Sequence, residues 1–386
     1  MKKICYWAPC LDKVGTYKAV INSALSLSKY SKKSYQVYII NACGEWDDNK
    51  IFFMKNNIKI VNLNFSYFNY LPKIGYLNSR ISYSLIFILS IIPLFKFLTK
   101  FKPDFFIGHL VTALPIFLFN FFDFKTKFIL RISGFPKLNF LRKNFWKRFS
   151  KKIFRITCPS EDLKKQIIDK NIFTKNKLLF LPDPIINLNR FRYQLKHQNE
   201  KEIKNQNEYF LAAGRLTKQK NFIYLIEEFN SFLKDYPKYN LLIFGEGEQR
   251  KKLEKKIESL NLNKKVLLMG FNKNIFPYMK KAKAFILSSL WEDPGFVIIE
   301  AALSNLFVIS SDCKNGPNEF LLNGKAGLLY SSSKKKKLSE SLNIFKKMSQ
   351  NQISSMKLIA KKNCTKYTLF RHHIFLKKIL NSSKST

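Results

Sequence analysis

At 386 residues, 46% of them hydrophobic, the chain is long enough for two ordinary domains and too apolar to be disordered. Its 68 Lys and Arg against 26 Asp and Glu give a formal charge of +42, a field that favours lipid headgroups, nucleic acid or phosphorylated ligands. Six scattered cysteines without a Cys-x-x-Cys pair, and only four histidines, leave no convincing zinc spacing and read as free thiols in a reducing cytosol. Charge alone names no partner, because Lys, Asn, Ile and Phe are over-used together, as base-composition bias also produces.

The N-terminus, MKKICYWAPCLDKVG, has no long apolar run or small-residue cleavage site and reads as a first strand, not a signal peptide. Residues 4–8 form that strand, 9–17 a loop with Gly15, and 18–30 an apolar-faced helix. Strands follow at 36–41 and 58–63, so strands and helices alternate as in a parallel sheet covered on both faces. Residues 81–98, ISYSLIFILSIIPLFKFL, have about the minimum length of a membrane span. They carry Pro93 and Lys96 and feed a strand at 105–107, so a buried or interface-lying helix fits better than a bilayer crossing. His109 follows that strand and Arg131 follows the strand at 128–130, both at carboxyl ends, where ligands of such sheets collect. Residues 139–152, NFLRKNFWKRFSKK, interleave aromatics with Lys and Arg. A basic amphipathic segment on anionic lipid and an ordinary surface helix both fit that pattern.

The polar run 187–207 reads as an interdomain linker, and a second alternating series starts at 209. Strands at 209–213, 241–244, 266–269 and 284–287 end at Gly214-Arg215, Gly245, Gly270-Phe271 and the stretch 288–302, SSLWEDPGFVIIEAA. In a doubly wound sheet these ends face one crevice. There Pro294 and Gly295 open an apolar helix whose first amides, at Gly295, Phe296 and Val297, make an anion site. Arg215 and Lys220 supply positive charge, while Glu292 and Glu300 bracket the helix start. That set can hold a pyrophosphate, neutralise a departing phosphate and accept hydrogen bonds from ribose hydroxyls. No Asp-x-Asp pair marks a divalent cation, so no obligatory metal or other cofactor is expected.

GRLTKQKN, FGEGE, MGF and SSLWEDPGFVIIEA, in this order and spacing, resemble the retaining family 4 glycosyltransferases of the GT-B fold. The resemblance is strong in the C-terminal half and limited to layout in the N-terminal half. It implies two Rossmann-like doubly wound domains facing a central cleft. Residues 1–186 would form the acceptor side, 187–207 the linker, 208–352 the nucleotide-sugar domain, and 353–386 a helix returning to the first domain. Arg215 and Lys220 match the pair that binds the diphosphate, and Glu300 the glutamate that holds the ribose. Glu292 matches the first acid of the E-x7-E motif, which contacts the donor sugar. Gly295, Phe296 and Val297 match the segment whose amides meet sugar and phosphate, and His109 looks like the histidine that approaches the donor sugar. Arg215, Lys220, Glu292 and His109 are thus the catalytic candidates; Glu300, Gly295, Phe296, Val297, Gly245, Gly270, Phe271 and Gly15 are donor-binding ones. Many members carry a Gly-Gly pair in the first loop, where this chain has only Gly15. Residues 310–330 resemble members that build bacterial surface polysaccharides and N-acetylhexosamine linkages, which points to a UDP-sugar.

The resulting expectation is a retaining hexosyltransferase moving a hexose or N-acetylhexosamine to a lipid-linked or polysaccharide acceptor, peripheral on the inner face of the cytoplasmic membrane. Its partners would be the donor, the acceptor and an anionic membrane surface, with no nucleic acid. The alternative is a non-catalytic basic protein that binds membrane or nucleic acid and keeps a vestigial crevice. A sugar phosphorylase would usually bring a cofactor lysine, and none is located.

Overall fold

The computed structural model describes every residue except 13–14, 73–75, 137, 197–207, 332–335 and 383–386. Val14 of the first loop, the second half of the expected linker and the last four residues therefore lie outside the described residues. The chain divides into two compact units, one of Met1–Ile185 with Tyr367–Thr386, the other of Ile186–Lys366.

The first unit holds seven parallel strands: β1 (Lys2–Trp7), β2 (Tyr35–Asn41), β3 (Ile58–Asn62), β4 (Phe105–Gly108), β5 (Lys127–Arg131), β6 (Arg155–Cys158) and β7 (Leu178–Phe180). They pair in the order β3-β2-β1-β4-β5-β6-β7. Both faces are buried, because successive side chains of a strand point to opposite sides. Cys5 and Trp7 join one apolar cluster with Phe106 and Phe128, while Ile4 and Tyr6 join another with Phe105 and Ile129. The covering helices are α1 (Gly15–Tyr30), α2 (Lys50–Lys55), α3 (Tyr76–Phe101), α4 (Ala113–Phe121), α5 (Phe140–Phe149) and α6 (Glu161–Asp169). Gly15 was expected in a loop running to Tyr17, but it opens α1. The first turn is drawn inward by Tyr17, which is buried and stacks on Trp46 at 4.7 Å.

Helix α3 is apolar on two sides. Ser82, Ile86, Ser90, Leu94 and Leu98 are buried, whereas Leu77, Ile81, Leu85, Ile88, Leu89 and Ile92 are exposed. The helix has the length and composition to cross a membrane, and 33% of its most apolar window is buried within the protein. It continues through Pro93 and carries no Asp or Glu.

The second unit has strands β8 (Tyr209–Ala213), β9 (Asn240–Phe244), β10 (Val266–Gly270), β11 (Ala284–Leu287), β12 (Phe307–Ser311) and β13 (Leu328–Tyr330). All pair in parallel, in the order β10-β9-β8-β11-β12-β13. Its helices are α7 (Leu188–Lys196), α8 (Phe222–Leu233), α9 (Arg250–Ser259), α10 (Phe276–Lys281), α11 (Phe296–Leu303), α12 (Pro317–Phe320), α13 (Lys337–Lys347) and α14 (Gln350–Asn363). The first part of the expected linker is thus helix α7, held by Phe191 edge-on against Phe276 of α10.

The terminal helix expected over 353–380 is two helices. Helix α14 stays with the second unit, where Ile353 and Met356 pack on its core and Asn363 donates to the Phe320 carbonyl at 2.7 Å. A short turn, Cys364–Tyr367, breaks the run, and α15 (Leu369–Asn381) belongs to the first unit. Leu376, Ile379 and Leu380 of α15 enter the same cluster as Ile4 and Val20.

Candidate functional site

In the second unit the strand order reverses between β8 and β11, and the carboxyl ends at such a switch point are where open sheets bind ligands. The loop after β8 ends in a tight turn, Lys218–Lys220, and Asn221 enters α8 with φ +52°. The loop after β11 is stitched to it. Ser288 Oγ donates to the Lys220 carbonyl at 2.7 Å, Leu290 N to the Gln219 carbonyl at 2.8 Å, and Gln219 Nε2 to the Trp291 carbonyl at 2.9 Å. Lys220 Nζ pairs with Glu292 Oε1, and Ser289 Oγ donates to the same oxygen at 2.5 Å. Both partners of the ion pair are largely buried, at 13% and 6% side-chain exposure, so the charges face each other with little solvent screening.

Gly295, with φ +86°, is the N-cap of α11. A Cβ at Gly316 (φ +149°) would lie 2.1 Å from the Pro294 carbonyl oxygen, so the loop after β12 closes on the helix entrance only with glycine there. Phe296 and Val297 form the first turn, and Glu300, half-buried, lies one turn further along the same helix. A Cβ at Gly245 (φ +140°) would lie 1.8 Å from the Gly214 carbonyl oxygen, which lets the loops after β8 and β9 touch backbone to backbone. Gly245 N donates to the Gly270 carbonyl at 2.8 Å, and Phe271 beyond it is 73% exposed. Arg215 is exposed at the end of β8. Every site residue expected in this unit therefore lies on one edge of its sheet, with a cation, a carboxylate and a helix N-terminus at the switch point. Among the described residues no three His, Cys, Asp or Glu side chains gather as a metal site.

His109 and Gly15 belong to the first unit. His109 N donates to the Trp7 carbonyl at 2.8 Å, which places the residue beside β1 at that sheet's own switch point. Its ring is buried 6.0 Å from that of Tyr6. Burial first, then the positive charge of Arg131 and the neighbouring His372, hold its pKa well below the usual imidazole range. It is a neutral imidazole at physiological pH, able to accept or donate one hydrogen bond but not to act as a cation.

Arg131 is buried and its Nη2 pairs with Asp183 Oδ1. Behind it runs a chain of hydrogen bonds into α15: Tyr6 Oη to Ser23 Oγ at 2.9 Å, Ser23 Oγ to His372 Nε2 at 2.7 Å, and His372 Nδ1 to the Pro182 carbonyl at 2.7 Å. The carbonyl can only accept, so His372 carries its proton on Nδ1 and Nε2 accepts from Ser23. Ser289, Asp183 and His372 were not singled out from the sequence as site residues. Their partners lie 3, 52 and 349 residues away, and only the Ser289–Glu292 spacing was within reach of a local reading.

Residues 194–363 match the family model of glycosyl transferases group 1. An uncharacterized glycosyltransferase of Methanocaldococcus jannaschii is 34% identical over 243 residues, 58% of this chain and 60% of that protein. An N-acetylgalactosamine-N,N'-diacetylbacillosaminyl-diphospho-undecaprenol 4-alpha-N-acetylgalactosaminyltransferase of Campylobacter jejuni is 27% identical over 219 residues, 54% of this chain and 57% of that protein. The chain thus matches less than two thirds of the length of these relatives. The structure of Anabaena Alr3699/HepE in complex with UDP and glucose superposes with a TM-score of 0.73 at 14% identity, covering 99% of this chain and 100% of that one. This chain therefore has the GT-B fold, built from two Rossmann-like α/β domains.

Proposed function

We propose that this protein is a glycosyltransferase that moves a hexose or N-acetylhexosamine, with retention of configuration, from a UDP-sugar to a lipid-linked or polysaccharide acceptor in cell-surface glycan biosynthesis. The observation that carries the reading is the Lys220–Glu292 pair beside the N-terminus of α11, at the switch point of the second sheet. In the reaction the bond between the anomeric carbon and the β-phosphate oxygen breaks, and its electron pair leaves with UDP. The acceptor hydroxyl oxygen bonds to the same face of the sugar and passes its proton to the departing phosphate. Arg215, Lys220 and the amides of Gly295 to Val297 take up the phosphate charge, Glu300 holds the ribose, and Glu292 the sugar. Gly245, Gly270 and Phe271 line the donor's path, and no metal is required.

The acceptor and the place of action follow from the same reading. A C. jejuni relative acts on a diphospho-undecaprenol acceptor, and the solved relative holds UDP and glucose. The exposed apolar row of α3 and the basic α5 support a peripheral position on the anionic inner face of the cytoplasmic membrane, with the first unit as the acceptor side.

Screening UDP- and GDP-sugars for thermal stabilisation of the purified protein identifies the donor. The matching sugar should then be transferred by the wild type, with and without EDTA, and not by Glu300→Ala. Unchanged turnover in that variant would sink the donor-site assignment. Tight nucleic-acid binding at moderate salt without any nucleotide-sugar turnover would favour a non-catalytic basic protein instead.

A further inference from the structure

The first unit contains a concavity of about 700 Å³ between α3, the loops after β4 and β5, and the first turn of α5. That volume is in the range of small-molecule clefts, about 300–1,000 Å³. We propose that it is a phosphoanion site, taking the phosphate or diphosphate that joins the acceptor to an apolar carrier. The proposal rests on the lipid-linked reading of the acceptor and assigns that acceptor its anchoring group.

Three observations converge on an anion. First, Arg131 lines the pocket at 3% exposure, with only part of its guanidinium used by Asp183: Nη1 is enclosed without a partner. A guanidinium stays ionised, so this is a buried positive charge with an unspent donor. Second, Asn139 and Arg142 of the α5 entrance line the same pocket, Asn139 Oδ1 accepting from Arg142 N at 2.9 Å. The positive end of the ten-residue helix is therefore at the pocket. Third, none of the residues lining the pocket is an Asp or Glu. Burial first, then the like charge of Arg80 on α3, hold the Arg142 pKa below the usual guanidinium value. Two arginines and a helix start, with no carboxylate among the lining residues, give the pocket hydrogen-bond donors suited to an anion.

The remaining walls favour an anion that carries an apolar group. Tyr83, Phe145 and Trp146 face the pocket, and Tyr83 sits on α3, whose neighbouring turns expose Leu77, Ile81 and Leu85. A phosphoanion with an isoprenoid-like tail satisfies the arginines and leaves its chain on the apolar row. A free phosphate or pyrophosphate would use only the first half of the surface.

The test is calorimetric titration of the full-length protein with geranyl diphosphate, inorganic pyrophosphate and geraniol, each with and without saturating UDP. Saturable binding of geranyl diphosphate that UDP does not displace is expected, with pyrophosphate weaker and geraniol weaker still. Arg142→Ala, at the rim of the pocket, should weaken binding about tenfold, as expected for losing one charged hydrogen-bond donor. Arg131→Gln with Asp183→Asn removes the buried charges together and keeps their shape; it should weaken binding at least as much while thermal unfolding shows a folded protein. Binding unchanged in both variants, absent in the wild type or abolished by UDP would overturn the site. Pyrophosphate binding as tightly as geranyl diphosphate would overturn the apolar carrier. Stabilisation by UDP in all variants reports the donor site independently, so the transferase reading and this site can fail separately.

Discussion

The two units share one topology and use it differently. In both, the strand order turns outward at the first strand, so each sheet has a switch point at its carboxyl edge. In the second unit that edge is polar, close-knit and local: the loops after β8, β9, β11 and β12 exchange backbone contacts through Gly245 and Gly316 and present Lys220, Glu292 and the start of α11. In the first unit the corresponding edge also buries its ionisable groups, but beneath a surface of a different kind. His109, Arg131, Asp183 and His372 are all buried, while the surface nearby is apolar and basic. A rigid polar edge suits a ligand of fixed shape and charge, such as a nucleotide diphosphate. A buried edge with a guanidinium nitrogen left over from its ion pair, flanked by exposed apolar side chains, suits an amphiphile.

The largest expected effect breaks this division in the second unit. Lys220→Ala should lower turnover by about 10²–10³-fold, the usual loss when one donor to a developing oxyanion is removed. It also strands Glu292 in a buried position, so about 3–5 kcal/mol of stability should go with it. Adding Glu292→Gln separates the two effects. The double variant should recover most of the melting temperature and none of the turnover. Full activity in a folded Lys220→Ala protein would remove the cation from the chemistry.

A second effect concerns the exposed row of α3. Ile88→Ser with Ile92→Ser removes two exposed apolar side chains, roughly 1–2 kcal/mol each if they enter the lipid boundary. Co-sedimentation with phosphatidylglycerol vesicles should fall on the order of 10²-fold, with UDP stabilisation unchanged. Equal sedimentation would leave attraction by the +42 charge as the whole membrane term.

The legibility of the two units follows from the same contrast. In the second unit each strand, its terminal glycine and the following helix lie within about a dozen residues, so GRLTKQKN and SSLWEDPGFVIIEA already place the site residues on one edge. The 72-residue contact between Lys220 and Glu292 adds only that the two charges neutralise each other. In the first unit His109 and Arg131 were placed at strand ends, but Asp183 and His372 gain meaning only when β7 and α15 are brought to them. Two other features were invisible for different reasons. Helix α7 carries its apolar period, Leu188, Phe191 and Leu195, over only nine residues of a mostly polar run and is held by Phe191 on Phe276 and by Gln194, whose carbonyl accepts from Asn274 Nδ2 at 2.8 Å, and β13 has only three residues, paired to β12. The doubled C-terminal helix was missed because Cys364–Tyr367 contains neither Gly nor Pro to mark the break.

Acid should discriminate the first unit from the second. Burial lowers the pKa of His372 from 6.5 to about 3. Between those values the unfolded chain binds a proton that the folded protein does not, so stability is full above pH 6.5 and is lost as pH falls. The slope is about 1.4 kcal/mol per pH unit, which accumulates to about 2.7 kcal/mol at pH 4.5. His109 acts in the same direction. Trp7, Trp46 and Trp146 are buried in the first unit and Trp291 is exposed in the second, so tryptophan fluorescence during denaturant titration reports mainly the former. His372→Gln should flatten the pH slope by about one proton. An unchanged slope would mean that His372 is not the titrating group.

The smallest effect marks the other side of the comparison. Ser349 and Gln352 form a capping box at the start of α14, with Gln352 N donating to Ser349 Oγ at 3.3 Å and Ser349 N to Gln352 Oε1 at 3.0 Å. Ser349→Ala should cost about 1 kcal/mol, and Ser349→Asp should restore most of it, because either side-chain oxygen satisfies the free amide. Neither Ser349 nor Gln352 titrates, so the alanine variant's deficit should be the same at pH 7.5 and pH 5. The His372 contribution changes steeply across that interval. A Ser349→Ala deficit that grew between pH 6.5 and pH 5 would tie α14 to a buried imidazole, and the assignment of the pH dependence in that interval to the first unit would fail.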